Sequence, residues 1–390
     1  MADITATARG SYNINRDRVV VDMSNKISLL KPSVTPLTVL LRRLRKNSTH
    51  NYRFDWLEDS LQGRWTSFEG VTEDGTVIVA GDTTDLLLVA GTRALIAVND
   101  LIKNVTTGEV MRVTAYHATA DTITVTRGYG TTAVDVLTHD DKLLVIGNAM
   151  MQGSGAPAEK HLNTTTQFNY TQIFKTPYSV TNTLEAMKLY GGGELNRLRT
   201  KKGEEHNMSM EYAFLFGERN LDVTGDQPVS TTAGLYSFLS GTDNVKSVGA
   251  TVAVENDLDE FTEMIFYYGS TSKVWMCSPS VITFVNSIAK DRLELVQSDM
   301  DSTYGLAVTK LKSPHGILNM VHHPLLVNGY DGLSFALDME EMAYRPLEGR
   351  DTKLKTNIQN ADEDGQREMY ITEAGLELRL AQKHGMFILT

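Results

Sequence analysis

From residue 76 to residue 147 the chain is rich in Thr, Val, Ile and Leu, is punctuated by turn residues at short intervals, and contains no helical period. Glu109–Tyr116 and Asp121–Thr126 each place apolar residues on one face at a spacing of two, the pattern of half-buried strands. Thr107-Gly108 and the stretch 118–121 supply reversals between them. With Ala94–Val98 and Leu143–Ile146 added, the segment predicts a small antiparallel barrel or sandwich inserted into something else. Its flanks say what that is. Asn51–Leu57 alternates aromatic with polar residues, and Gln167–Phe174 alternates again. These read as the two sides of one long hairpin, with the β insertion lodged between them.

Helices are confined to the remaining chain, so the fold class is α+β. Pro36 opens a short amphipathic helix in which Leu37, Leu40, Leu41 and Leu44 share a face and the basic residues lie mostly opposite. A long helix is predicted from Glu194 to Phe216, bounded by Gly191-Gly192-Gly193 and Gly217. Leu195, Leu198, Met208, Tyr212 and Leu215 trace its expected buried stripe, and Gly203 costs about 1 kcal/mol in its interior. Asp257-Leu258-Asp259-Glu260 has the form of a capping box ahead of Phe261, Met264, Ile265 and Tyr268. Lys273–Cys277 reads as a strand running into Ser278-Pro279, an N-cap followed by proline in the first turn. Leu333–Leu337, Met369–Thr372, Leu376–Leu380 and Met386–Leu389 are short strand candidates near the end. Residues 1–36 keep neither period and predict a segment ordered only by a neighbour.

Charge divides the chain unevenly. Its formal net charge is -11, yet residues 1–50 hold nine Lys/Arg against three acids. A basic arm on an acidic body points to contacts between copies, with an acidic scaffold, or with nucleic acid. Arg42, Arg43, Arg45 and Lys46 are the densest part of that arm. They lack interleaved aromatics, so salt links between subunits compete with phosphate binding as their expected role. Cys277 is the only cysteine, which rules out a disulfide within the chain or a zinc site built on several thiolates. No stretch approaches the roughly 18 apolar residues of a membrane helix, and the first residues lack the apolar core of a signal peptide. The expectation is a soluble protein kept in cytoplasm-like conditions, stabilised by packing and association.

Chemistry finds few footholds. There is no G-x-x-x-x-G-K-[ST], no H-E-x-x-H and no G-x-S-x-G, and the glycine triplet at 191 lacks a strand–glycine–helix frame. His322-His323 would point to opposite faces of a strand, which suits a metal poorly. Cys277 lies before a helix N-terminus but has no identifiable base, so a buried structural thiol is expected. Asp362-Glu363-Asp364 lacks the spacing of a calcium loop and reads as a solvated acidic turn. The expectation is a protein without catalytic residues, metal or cofactor.

Several stretches resemble the SU-ten-like major head protein family of tailed phages. They are Pro32–Leu37 with Phe54–Asp59, Thr107–Val113 with Thr122–Gly130, and Asp364-Gly365 with Ile371–Glu377. The order of parts matches as well. The resemblance implies a Hong Kong 97-like capsid fold with an N-terminal arm (1–49) and an E-loop (50–80 and 149–178) carrying an all-β insertion (81–148). It further implies a peripheral domain (179–222 and 331–390) built on the long spine helix, and an axial domain (223–330). The implied function is a major capsid protein assembling into hexamers and pentamers of an icosahedral head around double-stranded DNA. Scaffold, portal and cement proteins are the implied partners, with the virion as location and no membrane. Trp56, Trp65 and Phe68 are the expected apolar anchors between subunits, set against burial in the subunit's own core. A tail or baseplate receptor-binding protein is the alternative, with the β segment as its receptor module.

Overall fold

In the computed structural model, residues 35–44, 46–70, 85–117, 121–157, 159–189, 192–249, 255–288 and 308–390 are described. Most of the expected N-terminal arm, residues 1–34, and Arg45 lie outside them. The chain divides into two compact units, one of residues 1–56 with 167–390 and one of residues 57–166.

The chain enters through α1 (Pro36–Arg43), whose Leu37 and Leu41 are fully buried. Leu44 falls beyond the helix end and is exposed, so the predicted stripe is one residue too long. β1 (Arg53–Glu58) then pairs with β8 (Thr165–Tyr170) as a two-stranded ribbon, the hairpin foreseen from the two alternating flanks. Between them lies the second unit. Its strands are β2 (Trp65–Gly70), β3 (Asp85–Leu88), β4 (Asp100–Asn104), β5 (Val110–Tyr116), β6 (Thr122–Thr126) and β7 (Lys142–Asn148). They close into an all-antiparallel barrel in the order β2-β3-β6-β5-β4-β7. Alternate residues such as Phe68, Leu86, Ile102, Met111, Ile123 and Leu143 fill its interior, as the period of two requires. Since β2 is one of the staves, the β module begins at Trp65 or earlier rather than at 81.

After β8 come β9 (Gln172–Thr181), α2 (Asn182–Ala186) and the 23-residue α3 (Glu194–Phe216). β10 (Asn220–Asp222) and β11 (Val229–Thr231) form a small hairpin, followed by α4 (Leu235–Leu239) and β12 (Val245–Val248). α5 (Glu255–Phe266), β13 (Ser272–Cys277), α6 (Pro279–Ile288), β14 (Val308–Lys312) and β15 (Ile317–His322) make the mixed region. Helix α5 is already formed at Glu255, so Asp257 is an interior residue paired with Lys246 at 3.2 Å and not the predicted cap. Ser278 does cap α6, its hydroxyl accepting from Val281 N–H at 3.4 Å.

The chain ends with β16 (Leu333–Leu337), β17 (Met342–Pro346), β18 (Lys353–Lys355), the 14-residue β19 (Gly365–Leu378) and β20 (Gly385–Leu389). Two predicted short strands, 369–372 and 376–380, fall within or run past the single strand β19. β19 pairs β17 and β18, and it pairs β9 over ten residues. A six-stranded sheet, β12-β20-β16-β13-β15-β14, lies beside it in the first unit. Trp275, Cys277, Ala336 and Phe387 face α5 and α6 from one side of that sheet, and Met276, Phe335 and Leu337 join the core around α1, α3 and α4 on the other. The sheet draws strands from both the expected axial range (223–330) and the expected peripheral range (331–390).

Candidate functional site

The buried face of α3 departs from the predicted stripe. His206, Met210, Glu211, Phe214 and Leu215 are buried, whereas Tyr212 is exposed. Hydrophobicity misplaces the stripe because two of its members are polar, and each is buried only because partners from distant segments satisfy it. His206 lies between the hydroxyls of Thr176 (2.9 Å) and Thr372 (2.7 Å), one from each strand beneath the helix. Burial, with the nearby Arg42 charge, pushes its pKa down to about 4. Glu211 accepts from Leu37 N–H (2.8 Å), Thr38 N–H (2.6 Å), the Thr38 hydroxyl and His323 Nε2–H (2.9 Å). One carboxylate thus closes the open N-terminus of α1 and ties it to α3 and to the end of β15. At Gly203 the Tyr370 ring packs against the helix backbone, leaving a Cβ there at an ordinary contact distance of 3.4 Å from the ring, and Tyr370 donates to the Arg199 carbonyl at 3.2 Å.

Two members of the basic run have partners within the chain. Arg42 donates to the Thr352 hydroxyl at 2.9 Å, and Lys46 pairs with Asp351. Arg43 is exposed and lies in an interaction of its own. The three expected aromatic anchors separate. Phe68 is enclosed in the barrel core, and Trp56 is buried against Phe54 and Phe238. Both pack within their own subunit, the alternative set against the anchor role, with Trp56 keeping 6% of its surface exposed. Trp65, on the outward face of β2, is 54% exposed. Signals that sequence reasoning passed over are the exposed leucines and methionine along the ribbon and return segment, among them Leu57, Met151 and Leu162, with Leu61 97% exposed.

No catalytic centre assembles from the other candidates. His323 is fully buried on Glu211, while His322 sits at the strand end as a separate, part-exposed group. Cys277 is wholly buried, and burial pushes its thiol pKa well up, away from thiolate chemistry. Asp362, Glu363 and Asp364 are exposed, with Asp364 taken by Asn182 at 2.6 Å. Among the described residues no group of three or more His, Cys, Asp or Glu is placed to hold a metal. Two open clefts of about 440 Å³ and about 500 Å³ lie in the second unit on either side of Lys160, whose ammonium is held by Asp100 at 2.5 Å. In the same unit Glu109 holds the 127–135 loop, accepting from Arg127 (2.8 and 2.6 Å) and from the N–H groups of Gly128 and Asp135. Burial raises its pKa, but those donors outweigh it and the net shift is downward.

A family model described as SU10 major capsid protein matches residues 4–390. The chain belongs to that family. The major capsid protein of Pseudomonas phage PaMx41 is 25% identical over 272 residues, covering 67% of this chain and 65% of that protein, just under two thirds of its length. Among solved structures, the capsid of an empty GTA particle has a TM-score of 0.50 at 9% identity and covers 98% of both chains. A chain from Mycobacterium phage Cain has a TM-score of 0.49 at 9% identity, again over 98% of both. The fold of this major capsid protein family member is Hong Kong 97-like, of the α+β class. Among the described residues no helix is long and apolar enough to cross a membrane.

Proposed function

We propose that this chain is the shell subunit of a tailed-phage head, assembling into hexamers and pentamers that close into an icosahedral capsid around double-stranded DNA. The observation that carries this reading is the match to a major capsid protein family across residues 4–390. The chain works by association and not by catalysis, and its place is the virion after assembly in the host cytoplasm. Residues 1–49 serve as the arm, and 50–64 with 149–178 as the E-loop. The barrel forms the insertion, 179–222 with 331–390 form the peripheral domain, and 223–330 form the axial domain. Arg42, Arg43, Arg45, Lys46 and Trp65 lie along contacts between copies, with scaffold, portal, cement proteins and packaged DNA as further partners.

The physical support is exposed apolar surface on extended elements. A strand advances about 3.3 Å per residue, so a limb of 15 residues reaches on the order of 50 Å. Leu57 and Leu61 stand exposed on such a limb, with Met151 and Leu162 exposed on the return segment, and together they offer apolar surface to a neighbouring copy. Many modest contacts engaged together make a shell that rarely dissociates. Negative-stain microscopy and sedimentation of the purified chain test the proposal. Shells, tubes or hexameric rings are expected, whereas a stable monomer at micromolar concentration would overturn it.

A further inference from the structure

The sheet of β9, β19 and β18 has two unlike faces. Phe174, Thr176 and Tyr178 with Glu368, Tyr370 and Thr372 point at α3, as their contacts with His206, Phe214 and Arg199 show. The strand period of two puts Lys175, Arg367, Lys353 and Lys355 on the opposite face, together with Ile173 and Ile371. The register sets Ile371 between Lys353 on one neighbour and Lys175 on the other, with Lys355 two residues along β18 and Arg367 four residues back along β19. All four cations are exposed, and Ile173 is 46% exposed. Lys175, Lys355 and Arg367 enter no ion pair among the described residues, and Glu373 at the margin is already taken by Arg350 at 2.5 Å. On a chain of net charge -11, this is a concentrated basic and apolar face.

The same unit carries a segment of opposite character. Between β10 and β11, residues 222–229 are all exposed, including Val223 and Val229. Asp222 and Asp226 are the only charges from Asn220 to Thr231. A two-stranded ladder of three residues per strand is marginal by itself. Its base is tied down, Ser230 donating to the Thr171 carbonyl at 2.6 Å and Thr231 to the Glu218 carbonyl at 2.7 Å, but its tip stands free.

We propose that the basic face of β9, β19 and β18 receives the acidic, valine-bearing hairpin 222–229 of a second copy of this chain. The inference rests on the shell reading and names one of its contacts. The isoleucines argue for a protein partner, because phosphates would call for cations alone. The leader 1–34 has the wrong sign, with five Lys/Arg against three acids. Hairpin and face are different patches of one chain, so the contact is head-to-tail, the kind that closes into rings when the rotation per subunit allows.

Co-assembly of two single-substitution chains, Val229→Cys and Ile173→Cys, followed by oxidation, tests the contact directly; Cys277 is wholly buried and does not compete. A reducible dimer is expected only when both chains are present. Lys355→Glu with Arg367→Glu, or Asp222→Lys with Asp226→Lys, should each lower assembly yield about tenfold, and all four together should restore it. Normal shells with no crosslink, or with charge reversals of no effect, would overturn the contact and leave the shell reading standing. Wild-type chain that stays monomeric would overturn both. Charge reversals on the face that leave assembly intact but abolish retention of a duplex DNA fragment would assign the face to nucleic acid and overturn the hairpin contact.

Discussion

Replacing Glu211 with alanine should release α1 from the body of the first unit. The helix has eight residues, fewer than the number that persist alone in water. Its first two N–H groups, the Thr38 hydroxyl and His323 all end on this one carboxylate. Each buried donor stranded without a partner costs about 1–3 kcal/mol, and losing an anion at a helix N-terminus costs roughly 0.3–2 kcal/mol. Backbone relaxation and water recover part of that. A net loss of about 4 kcal/mol is expected, within the range for breaking a buried charged network. At about 1.4 kcal/mol per factor of ten, amide protection in α1 should fall by up to roughly 10³-fold. Hydrogen exchange read by mass spectrometry on peptides spanning 35–44 measures this, with β13 and β15 as internal references. Glu211→Gln, which keeps the volume and one acceptor oxygen, should fall between wild type and alanine. Exchange in α1 rising less than threefold in the alanine variant would refute the assignment of Glu211 as the clamp.

Acid should weaken the fold before its carboxylates protonate. His206 and His384 both have pKa values pushed down to about 4, chiefly by burial. Nδ1 of His384 accepts from Asp338 N–H at 3.1 Å, a contact the protonated ring cannot make. The unfolded chain therefore binds protons that the folded chain refuses between the ordinary histidine pKa and about 4. The full contribution is present above about 6.5 and is lost as pH falls through that window, up to roughly 3 kcal/mol per group. Urea midpoints at pH 7 and pH 4.5 should show the fall, and His206→Gln should shrink it; equal midpoints would count against both residues. Phe68→Ala should cost about 3–5 kcal/mol in the stability of the barrel, whereas Trp65→Ala should change the isolated subunit by less than about 0.5 kcal/mol, both read by chemical denaturation. Glu109→Gln removes an acceptor from Arg127 and should cost about 3 kcal/mol, with the 127–135 loop becoming the first site of limited proteolysis; an unchanged cleavage pattern would refute that role.

Legibility followed the range of the physics. The barrel, the ribbon on either side of it, the long helix and the Ser278-capped helix were readable, because a period of two, a period of 3.6 and a cap are written within a few consecutive residues. The misreadings came from local pattern. The α3 stripe and the division of β19 were drawn from hydrophobicity and the start of α5 from a capping-box spacing, whereas the stripe and the strand were settled by partners elsewhere. His206 is inside because Thr176 and Thr372 flank it, and β19 runs unbroken because β9 pairs it over ten residues.

Sequence alone therefore determined the class of fold, the inserted β module, the exclusion of disulfides and the resemblance to a capsid family, all of which reside in composition and short spacing. Only the tertiary structure decided which side chains are surface and which are core. It buried Phe68 and Trp56 while exposing Trp65, joined Glu211 to Thr38 and His323 across more than a hundred positions, and gathered four cations from three strands onto one face. Such groupings depend on register and packing between distant segments, and no local pattern encodes them.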